Sequence, residues 1–560
     1  MPTLPDLETA VRAVADTAAA RRAEWDALDA ATGDGDFGST LDRGFAAVVE
    51  GWDALDRESE RAFLADVSRV LAAAMGGTSG PIWSVGVLRA GAVADDGGGA
   101  DAMLAAAVDG IQELGGAQRG DKTLLDALIP AADAARAGGD VAGAALEGAE
   151  ATRELRARRG RGAYAGHRTV GTADPGAVAI AVLAVALGAG AGDAERLEAL
   201  HRVGESEEDG GSAGAAADGT PGAAAPGATK QLINRPQDAA REALEGLALV
   251  HGDLVAWDGE RRILTRADGP ARDQVALVSG GGSGHEPLHG GFIGDGMLTA
   301  VAPGEVFASP SVDQVLAAIR AADGGAGVLQ IIKNYTGDVL NFRLAGELAR
   351  EEGLQVDAVV VADDVASGGD EHGVGRRGTG ATVVVEKVAG ARAAAGGSLE
   401  EVAAVARRAA DRSASMGLAL HPCSPPGAGP LFALGDDEVE LGVGIHGELG
   451  TERIPYAPVD ELVATIVDRL LGDLEPDDGA PLLAFVNGFG GSAALELYIA
   501  YRALSRTLGD RGHAIARSLV GDHVTSLDMA GMSITLTALD DELAALWDAP
   551  VRTPALRWGA

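Results

Sequence analysis

Residues 205–229 divide the chain into two regions with different sequence patterns. The segment begins Glu-Ser-Glu-Glu-Asp-Gly-Gly-Ser and continues in Ala, Gly and Pro without a helical or strand period. Such a composition is typical of a flexible linker, and about 25 residues of it would span roughly 25–30 Å. A chain of 560 residues also exceeds one hydrophobic core, because single cores rarely grow past about 250–300 residues. The sequence therefore predicts two domains, residues 1–204 and residues 230–560, joined by this linker.

The first region has the apolar spacing of helices almost throughout. Alternation typical of strands is nearly absent before residue 200, and an Ala/Gly-rich stretch at 177–191 is typical of a buried helix. We expect an all-α domain, a bundle whose short loops carry polar motifs. The predicted helices cover residues 7–28, 61–75, 102–114, 124–136 and 141–156.

The second region alternates between short apolar runs, polar loops and helical stretches. Such strand–loop–helix units place their polar loops at the carboxyl ends of a parallel sheet, where ligands bind in open α/β folds. We therefore expect an α/β domain with parallel or mixed sheets. The predicted strands cover residues 275–279, 328–332, 356–362 and 481–486, and helices follow the second and fourth of them, up to residue 350 and over 494–504.

Charge and composition exclude several classes of partner. The net charge of −38 disfavours nucleic acid and anionic membranes, which both require basic patches. Cys423 is the single cysteine, so no disulfide can form within the chain, and a reducing cytoplasm is the expected compartment. The N-terminal sequence lacks the basic and apolar parts of a signal peptide, and no uncharged apolar run reaches the length of a membrane span.

Lysine is rare in this chain. Only Lys122, Lys230, Lys333 and Lys387 occur, so 41 of the 45 basic residues are arginine. A retained lysine therefore marks a place where a compact ammonium fits and a guanidinium fork does not. Lys122 and Lys333 both fall in polar segments that contain glycine.

A cluster of carboxylates lies near the start of the first region. Asp29, Asp34 and Asp36 fall within eight positions, and Gly35 separates the last two. Mg²⁺ prefers oxygen ligands and often shares them between a few carboxylates and substrate phosphates, so a divalent cation would stabilise this cluster. The alternative is a loop between helices in which aspartate caps a helix or forms a turn.

A second polar cluster is split between two distant segments. Ser-Gly-Gly-Gly-Ser-Gly-His-Glu-Pro covers 279–287, and Gly-Ile-His-Gly-Glu covers 444–448. Glycines would let a small ligand approach the backbone beside a histidine. The first segment is not a phosphate-binding P-loop, because no Gly-Lys-Ser/Thr follows it. The alternative is a histidine that only satisfies a turn.

The motifs occur in an order that resembles the dihydroxyacetone kinase family. The first region carries Leu-Asp-x4-Gly-Asp-Gly-Asp-x-Gly, Gly-Gly-Thr-Ser-Gly, Gly-Asp-Lys-Thr, Arg-Arg-Gly-Arg and Asp-Pro-Gly-Ala, as the family's nucleotide domain does. The second region is similar to the family's substrate domain through both histidine segments, Lys-Asn-Tyr-Thr-Gly-Asp at 333–338 and Thr-Ser-Leu-Asp-Met-Ala-Gly at 525–531. The nucleotide domain comes first here, the reverse of the better-known single-chain members.

The resemblance implies an ATP site in the first domain. In the family this domain is a barrel of antiparallel helices, and its aspartates, here Asp29, Asp34 and Asp36, hold two Mg²⁺ against the phosphates of ATP. Phe37 departs from the smaller residue usual in the family, and His167 stands where the family often has Glu. The implied nucleotide contacts are Phe37, Gly38, Ser39, Thr40, Thr78, Ser79, Gly115, Leu124, Arg161, Asp174, Pro175 and Gly176.

The resemblance also implies a ketose site in the second domain. There the family's histidine, here His446, adds to the ketone carbonyl and forms a hemiaminal, which fixes a very small substrate. Asp338 would take the proton from the attacking hydroxyl, His285 would assist, and Lys333 would hydrogen-bond the substrate. The implied cradle for the substrate is Gly282, Ser283, Gly284 and His285.

The expected activity is transfer of the γ-phosphoryl group of Mg·ATP to the primary hydroxyl of a small ketose. Dihydroxyacetone is the first candidate, and erythrulose or another C4 ketose is the nearest alternative, because a hemiaminal requires only a carbonyl. Some members of the family also cleave FAD to a cyclic riboflavin phosphate, and a non-catalytic ketose sensor is a third alternative. We expect a homodimer without nucleic-acid or membrane partners.

Overall fold

The computed structural model describes residues 2–30, 35–95, 97–159, 169–188, 194–201, 229–367, 375–477 and 479–559. These residues form two compact units, which we name the helical unit, up to residue 201, and the sheet unit, from residue 229. The predicted linker lies outside the described residues except for Thr229, so the predicted domain boundaries stay predictions. Within the described ranges, no helix combines the length and apolar character needed to cross a membrane.

The helical unit contains no strand in its described part, which confirms an all-α first region. Its helices are α1 (Leu4–Ala30), α2 (Phe37–Glu50), α3 (Glu60–Ala74), α4 (Ser79–Asp95), α5 (Ala100–Gly115), α6 (Leu125–Ala137), α7 (Val141–Ala151), α8 (Pro175–Ala186) and α9 (Ala194–Leu200). From α1 to α8, each helix packs against the next one along the chain, and α8 packs against α1.

Local sequence explains where several of these helices begin and end. Asp140 caps α7 by accepting from the Gly143 N–H, and Asp174 caps α8 ahead of a proline, the residue that suits the first helical position. Helices α5 and α6 end at Gly116 and Gly138, both in the left-handed conformation that favours glycine. These caps fix the loops that carry the polar motifs.

The first sheet of the sheet unit is mixed and has six strands. The strands are β1 (Val255–Asp258), β2 (Ile263–Arg266), β3 (Ala276–Ser283), β4 (Ala300–Val306), β5 (Val328–Lys333) and β6 (Val356–Val361), in the order β1-β2-β4-β3-β5-β6. The last four are parallel, and β1 and β2 add antiparallel pairs at one edge. The helices with this sheet are α10 (Ala239–Val250), α11 (Val312–Ala322) and α12 (Thr336–Glu351).

Two helices connect the first sheet to the second, α13 (Ala381–Ala394) and α14 (Leu399–Asp411). Helix α13 contacts β3, β5 and β6 of the first sheet and also β7 of the second sheet. Nearly all of its side chains are buried. A helix that is buried on all sides is a core element, and α13 forms the centre of this unit.

The second sheet also has six strands and is mostly antiparallel. Its strands are β7 (Ser413–His421), β8 (Glu438–Leu441), β9 (Glu452–Pro455), β10 (Leu482–Gly488), β11 (Ile515–Gly521) and β12 (Ala530–Ala538), in the order β11-β10-β12-β7-β8-β9. Only β10 and β11 pair in parallel. The remaining elements are α15 (Val459–Leu474), α16 (Ala494–Asp510), α17 (Asp541–Asp548) and the short pair β13 (Val551–Arg552) and β14 (Arg557–Trp558).

Backbone hydrogen bonds join the two sheets across a long stretch of chain. The Thr525 N–H donates to the His285 carbonyl at 3.2 Å, and the Leu527 N–H donates to the Gly284 carbonyl at 2.9 Å. The segment 525–527 follows β11, whereas residues 284 and 285 follow β3. The two histidine-bearing segments predicted from sequence therefore lie within one folded unit.

Candidate functional site

Strand β3 runs through the glycine cluster that the sequence suggested as a loop. All residues from Ala276 to Ser283 are buried in this strand. A Cβ atom on Gly281 would lie 2.1 Å from Lys333 Nζ, and one on Gly282 would lie 2.7 Å from the backbone of Phe307. Glycine is required at both positions because a side chain would collide with the lysine or the neighbouring loop.

His285 follows this strand and is fixed in one neutral tautomer. Its Nδ1 lies 2.8 Å from the carbonyl oxygen of Thr525, which can only accept, so Nδ1 carries the proton. Burial, with smaller contributions from His446 and Lys333, holds the pKa of His285 well below its ordinary value. Its Nε2 is buried and has no hydrogen-bond partner among the described groups. His285 therefore presents an unused acceptor inside the site.

His446 lies in an aromatic cage next to His285. Its ring meets those of His285, Phe307 and Tyr335 edge to face, at centroid distances of 4.6, 5.4 and 4.4 Å. Its Nδ1 lies 3.1 Å from Oε1 of Glu448, and its backbone N–H donates to the same carboxylate. A carboxylate at Nδ1 places the ring proton there and leaves the lone pair on Nε2, as required of a nucleophilic imidazole.

A buried ion pair lies behind this histidine. Arg377 contacts Asp364 at 2.5 Å and is also within the electrostatic influence of Glu448. Despite the opposing effect of burial, these carboxylates raise the pKa of Arg377 above its ordinary value. The guanidinium therefore stays charged, and the contact of Nδ1 with Glu448 favours the Nδ1–H tautomer of His446.

Lys333 and Asp338 form the third part of the site. Lys333 ends β5 and is fully buried, and its Nζ lies 3.6 Å from Oδ2 of Asp338. Asp338 lies in the first turn of α12. Asp338 Oδ1 is buried without a hydrogen-bond partner among the described groups. This oxygen is available to accept a proton or hydrogen bond from a ligand.

Sequence reasoning missed two further titratable residues, His289 and Glu386. His289 Nε2 lies 3.0 Å from Lys333 Nζ, and its Nδ1 lies 2.7 Å from Oε1 of Glu386. Burial raises the pKa of the Glu386 carboxyl to about 8. The signal was present, because Glu386 and Lys387 interrupt an otherwise apolar run in α13.

The helical unit places two of the three predicted metal ligands near each other. Asp29 lies in the last turn of α1, and its Oδ2 accepts from the backbone N–H groups of Gly35 at 2.9 Å and Asp36 at 3.1 Å. Burial, followed by repulsion from Asp29, raises the pKa of Asp36 to about 7. Asp34 lies outside the described residues, and no group of three potential ligands occurs in the rest of the chain that the structure describes. Two close carboxylates with hard oxygen donors fit a Mg²⁺ ion.

The predicted nucleotide contacts lie mostly at helix starts rather than in open loops. Phe37 to Thr40 form the first turn of α2, Ser79 begins α4, and Thr78 directly precedes it. Ser39 is tied to Asp26 through its N–H and hydroxyl, at 2.8 and 2.6 Å. Arg161 and the unusual His167 lie outside the described residues.

The remaining predicted nucleotide contacts surround the start of α8. Asp174 caps this helix, and burial raises its pKa to about 7. Pro175 and Gly176 follow, and a Cβ on Gly176 would lie 3.1 Å from the side chain of Leu124, the residue before α6. Gly115 ends α5, and it is partly exposed.

Lys122 lies beneath this part of the helical unit and donates to the backbone. Its Nζ donates to the carbonyl oxygens of Thr152, Leu155, Thr169 and Thr172 at 2.6–3.2 Å. Four acceptors around one point fit an ammonium better than a planar guanidinium. Lys122 therefore joins the segments that lead to Asp174 rather than projecting toward a ligand.

Two family models match separate parts of the chain. Residues 31–189 match the family model of the DAK2 domain, and residues 245–555 match that of the Dak1 domain. The dihydroxyacetone-binding subunit DhaK of the PEP-dependent dihydroxyacetone kinase of Escherichia coli (strain K12) is 45% identical over 355 residues, which cover 59% of this chain and 99% of that protein. The human triokinase/FMN cyclase is 45% identical over 337 residues, covering 59% of this chain and 58% of the relative.

A solved structure supports the likeness. The dihydroxyacetone kinase of C. freundii aligns with a TM-score of 0.53 and 38% identity, over 58% of this chain and 60% of that chain. The same enzyme was also solved in complex with AMP-PNP and Mg²⁺. The match thus spans somewhat more than half of the human and C. freundii proteins.

The chain combines an all-α unit with an α/β unit that carries a buried histidine site. With a DAK2 domain and a Dak1 domain in one chain, the protein belongs to the dihydroxyacetone kinase family.

Proposed function

We propose that this chain is an ATP-dependent kinase that phosphorylates the primary hydroxyl of dihydroxyacetone. The observation that carries the proposal is the pairing of His446 with Glu448 in the same buried site as Lys333 and Asp338. One pair suits capture of a carbonyl and the other suits removal of a hydroxyl proton. The names of the E. coli and C. freundii relatives support dihydroxyacetone as the substrate. The C. freundii complex with AMP-PNP and Mg²⁺ supports ATP as the donor, whereas the E. coli relative is named as PEP-dependent.

Capture of the ketose begins at His446. The lone pair on Nε2 attacks the carbonyl carbon, and the electrons of the C=O π bond form an alkoxide while the ring becomes an imidazolium. Glu448 takes up the Nδ1 proton, water protonates the alkoxide, and Glu448 gives its proton to the hydroxide that remains, which leaves a neutral hemiaminal and water. His285 Nε2, unpartnered in the described structure, accepts a hydrogen bond from a substrate hydroxyl. The covalent bond orients a ligand too small to bind tightly by contacts alone.

Removal of the proton from the reacting hydroxyl falls to Asp338. Its free Oδ1 accepts the proton as the oxygen attacks the γ-phosphorus, and Lys333 holds the carboxylate in place through Oδ2. The substrate is held by the lysine and by the backbone of Gly282, Ser283 and Gly284.

The metal site would consist of Asp29, Asp34 and Asp36, and by analogy with the family it would hold two Mg²⁺ ions. The metal would neutralise phosphate charge during transfer. Burial, and after it repulsion from Asp29, raises the pKa of Asp36, and this supports the role because a bound cation would stabilise both carboxylates in the ionised form. ATP would be contacted by backbone and hydroxyl groups at Phe37–Thr40, Thr78–Ser79 and Asp174–Gly176. Gly115, Leu124 and Arg161 would complete the nucleotide site.

We also propose that α1 to α8 close into a barrel of helices. The packing of each helix on its neighbour, and of α8 on α1, supports a closed ring.

A homodimer is a further proposal, and one surface supports it. Leu495, Tyr498 and Ile499 form an exposed apolar stripe on α16, with exposed fractions of 72%, 63% and 42%. Such a stripe at helical spacing is typical of an interface.

The single buried cysteine supports a reducing, cytoplasmic compartment.

The strongest competing activity is cyclisation of a flavin nucleotide, because the human relative is named triokinase/FMN cyclase. The same carboxylate cluster would hold the metal for that reaction. A C4 ketose kinase and a non-catalytic ketose sensor are weaker candidates. The intact Asp338 disfavours the sensor, because binding alone requires no base.

One experiment tests the proposed activity and its alternatives. The full chain is incubated with Mg·ATP and, in turn, dihydroxyacetone, erythrulose, glycerol and FAD, with phosphorylated and cyclic products read by mass spectrometry. We expect phosphorylated dihydroxyacetone and a hemiaminal on the intact protein, and loss of both in His446→Ala. His421→Ala, which removes an exposed histidine of β7, is the matched control. A normal adduct in His446→Ala would contradict the assignment, and phosphorylated glycerol would contradict carbonyl capture as the basis of selectivity.

A further inference from the structure

Four titratable side chains form a continuous buried line in the sheet unit. Glu386 Oε1 is 2.7 Å from His289 Nδ1, His289 Nε2 is 3.0 Å from Lys333 Nζ, and Lys333 Nζ is 3.6 Å from Asp338 Oδ2. All four are almost completely buried. The proposed mechanism uses only the last two and leaves His289 and Glu386 without a role.

Two arrangements of the protons satisfy these distances. In the first, Glu386 is ionised and accepts from His289 Nδ1–H, while the Lys333 ammonium donates to His289 Nε2. In the second, Glu386 is protonated and donates to Nδ1, while Nε2–H donates to the neutral amine of Lys333. Both have the same net charge, and they interconvert by moving two protons without moving a heavy atom. The pair can thus take one proton from Lys333 and store it on Glu386.

Burial of the Glu386 carboxyl costs free energy, which indicates that this group has a role beyond filling space in the core. Its Oε2 has no hydrogen-bond partner among the described groups, and it lies in α13, a helix whose side chains are almost all buried. An unsatisfied buried polar atom generally costs about 1–3 kcal/mol. Burial also raises the pKa of this carboxyl to about 8, so it can accept a proton near neutral pH. An apolar residue of similar size would pack there at lower cost.

We propose that His289 and Glu386 are positioning residues, an inference that rests on the kinase function proposed above. They hold the Lys333 ammonium beside Asp338, and they carry away the proton that Asp338 removes from the substrate. After Asp338 is protonated, Lys333 gives a proton to His289 Nε2, and His289 gives its Nδ1 proton to Glu386. The neutral Lys333 amine then takes the proton from Asp338. The carboxylate of Asp338 is restored, and one proton has moved from the substrate hydroxyl to Glu386. The reverse shift returns it through Asp338 to water after the product leaves.

Glu386→Gln tests the relay in the full chain. Glutamine has the same shape and its Oε1 can still accept from His289 Nδ1, but it cannot take up a proton. We expect the hemiaminal with dihydroxyacetone to form as in the wild type and KM to stay within about threefold. We expect kcat to fall about tenfold to a hundredfold, toward the lower range for a lost acid–base function.

Thr382→Val is the matched control. Thr382 lies one turn earlier on α13, is equally buried, and its hydroxyl also has no hydrogen-bond partner among the described groups. The substitution changes the same helix without touching the line of titratable groups, so kcat should stay within about threefold of the wild type. An equal loss of kcat in this variant would mean that the helix is merely sensitive to change, and would overturn the proposal.

A second variant keeps the proposal testable if Glu386→Gln does not fold. In His289→Gln, the amide oxygen can accept from Lys333 near the position of Nε2, but no proton can pass to Glu386. We expect the same split, with the adduct and KM preserved and kcat lowered. Wild-type kcat in either variant, or loss of the adduct together with kcat, would overturn the relay. Absence of phosphorylated ketose with the wild-type chain would instead contradict the proposed kinase function.

Discussion

Two buried lysines, Lys122 in the helical unit and Lys333 in the sheet unit, differ in what surrounds the ammonium. Lys122 in the helical unit donates to four backbone carbonyls, whereas Lys333 in the sheet unit lies among His289, Asp338 and the carbonyl of Gly280. A carbonyl can accept a hydrogen bond but cannot exchange a proton. A histidine or a carboxylate can do both. The first lysine is therefore a structural clamp, and the second is part of a site that can move charge.

The contrast between Lys122 and Lys333 shows that a retained lysine in this chain can have either of two roles. Both lysines occupy places where a compact cation fits, as the sequence predicted, and both lie close to glycine. The sequence could not separate the two roles, because the acceptors of Lys122 are backbone atoms that have no signature in the side-chain pattern. The following predictions test the contrast.

Asp338→Asn should give the largest effect. Asparagine keeps the size of the side chain and an oxygen acceptor, but it cannot take the hydroxyl proton, so kcat should fall about 10²–10⁴-fold while the hemiaminal still forms. The measurements are kcat with Mg·ATP and dihydroxyacetone, and adduct formation by intact-mass analysis.

A fall of less than tenfold would mean that the proton leaves by another route, with His285 the first candidate. Asp357→Asn is a suitable control, because Asp357 is a carboxylate of β6 that pairs with Arg407 at the surface. Surface ion pairs contribute little, so this variant should retain wild-type activity.

Lys122→Met should affect stability rather than chemistry. Four buried carbonyls lose a charged donor, and hydrogen bonds to charged groups contribute about 1.5–3 kcal/mol each, with partial compensation by water. We expect the helical unit to lose about 2–4 kcal/mol of unfolding free energy, measured by urea unfolding of the full chain. Lys230→Met, at an exposed position, is the control and should change stability by less than about 0.5 kcal/mol.

The single cysteine shows which unit is affected. Cys423 lies in the sheet unit, is fully buried, and burial raises its pKa to about 12. Its reaction with a thiol reagent therefore depends on opening of the sheet unit. Lys122→Met should leave the labelling rate within about twofold of the wild type. Faster labelling would mean that the two units do not unfold separately.

The smallest effect concerns pH. Burial lowers the pKa of Lys122 from 10.5 to about 8. Below pH 8 both the folded and the unfolded chain hold this proton. Between about pH 8 and 10.5 the unfolded chain still binds a proton that the folded chain has released, so unfolding free energy rises with pH. The rise should reach at most about 3 kcal/mol.

The difference in stability between wild type and Lys122→Met, measured from about pH 8 to about pH 10, isolates this contribution, because the remaining groups are common to both. The unfolding free energy of the wild type should increase with pH relative to that of Lys122→Met. A constant difference would show that the four carbonyls keep the ammonium charged throughout the range.

Periodicity predicted part of the helical unit and failed where glycines pack closely. Five predicted helices correspond to α1, α3, α5, α6 and α7, whereas α2 and α4 were not recognised as helices. A Cβ on Gly38 would lie 2.1 Å from the Arg22 carbonyl oxygen, and one on Gly80 would lie 2.2 Å from that of Met75. These glycines permit close approach of neighbouring segments, and in the sequence they are typical of loops.

In the sheet unit the sequence identified the residues that converge but not the whole site. His285, Lys333, Asp338 and His446 were predicted, and they lie in one buried region; their roles stay predictions. His289 and Glu386 are 97 positions apart, and only the packing of α13 between the sheets brings them together. No local pattern reports such a contact.

The backbone hydrogen bonds between residues 284–285 and residues 525–527 have a consequence for the order in which the protein is made. The Thr525 carbonyl, which sets the tautomer of His285, is 240 positions further along the chain. Ribosomal synthesis delivers this segment long after β3, so the ketose site stays incomplete until then. The helical unit is built largely from neighbouring contacts, which form quickly, whereas distant contacts fold slowly and leave apolar surface exposed meanwhile. During synthesis the sheet unit is therefore the part of this chain that leaves apolar surface exposed for longer.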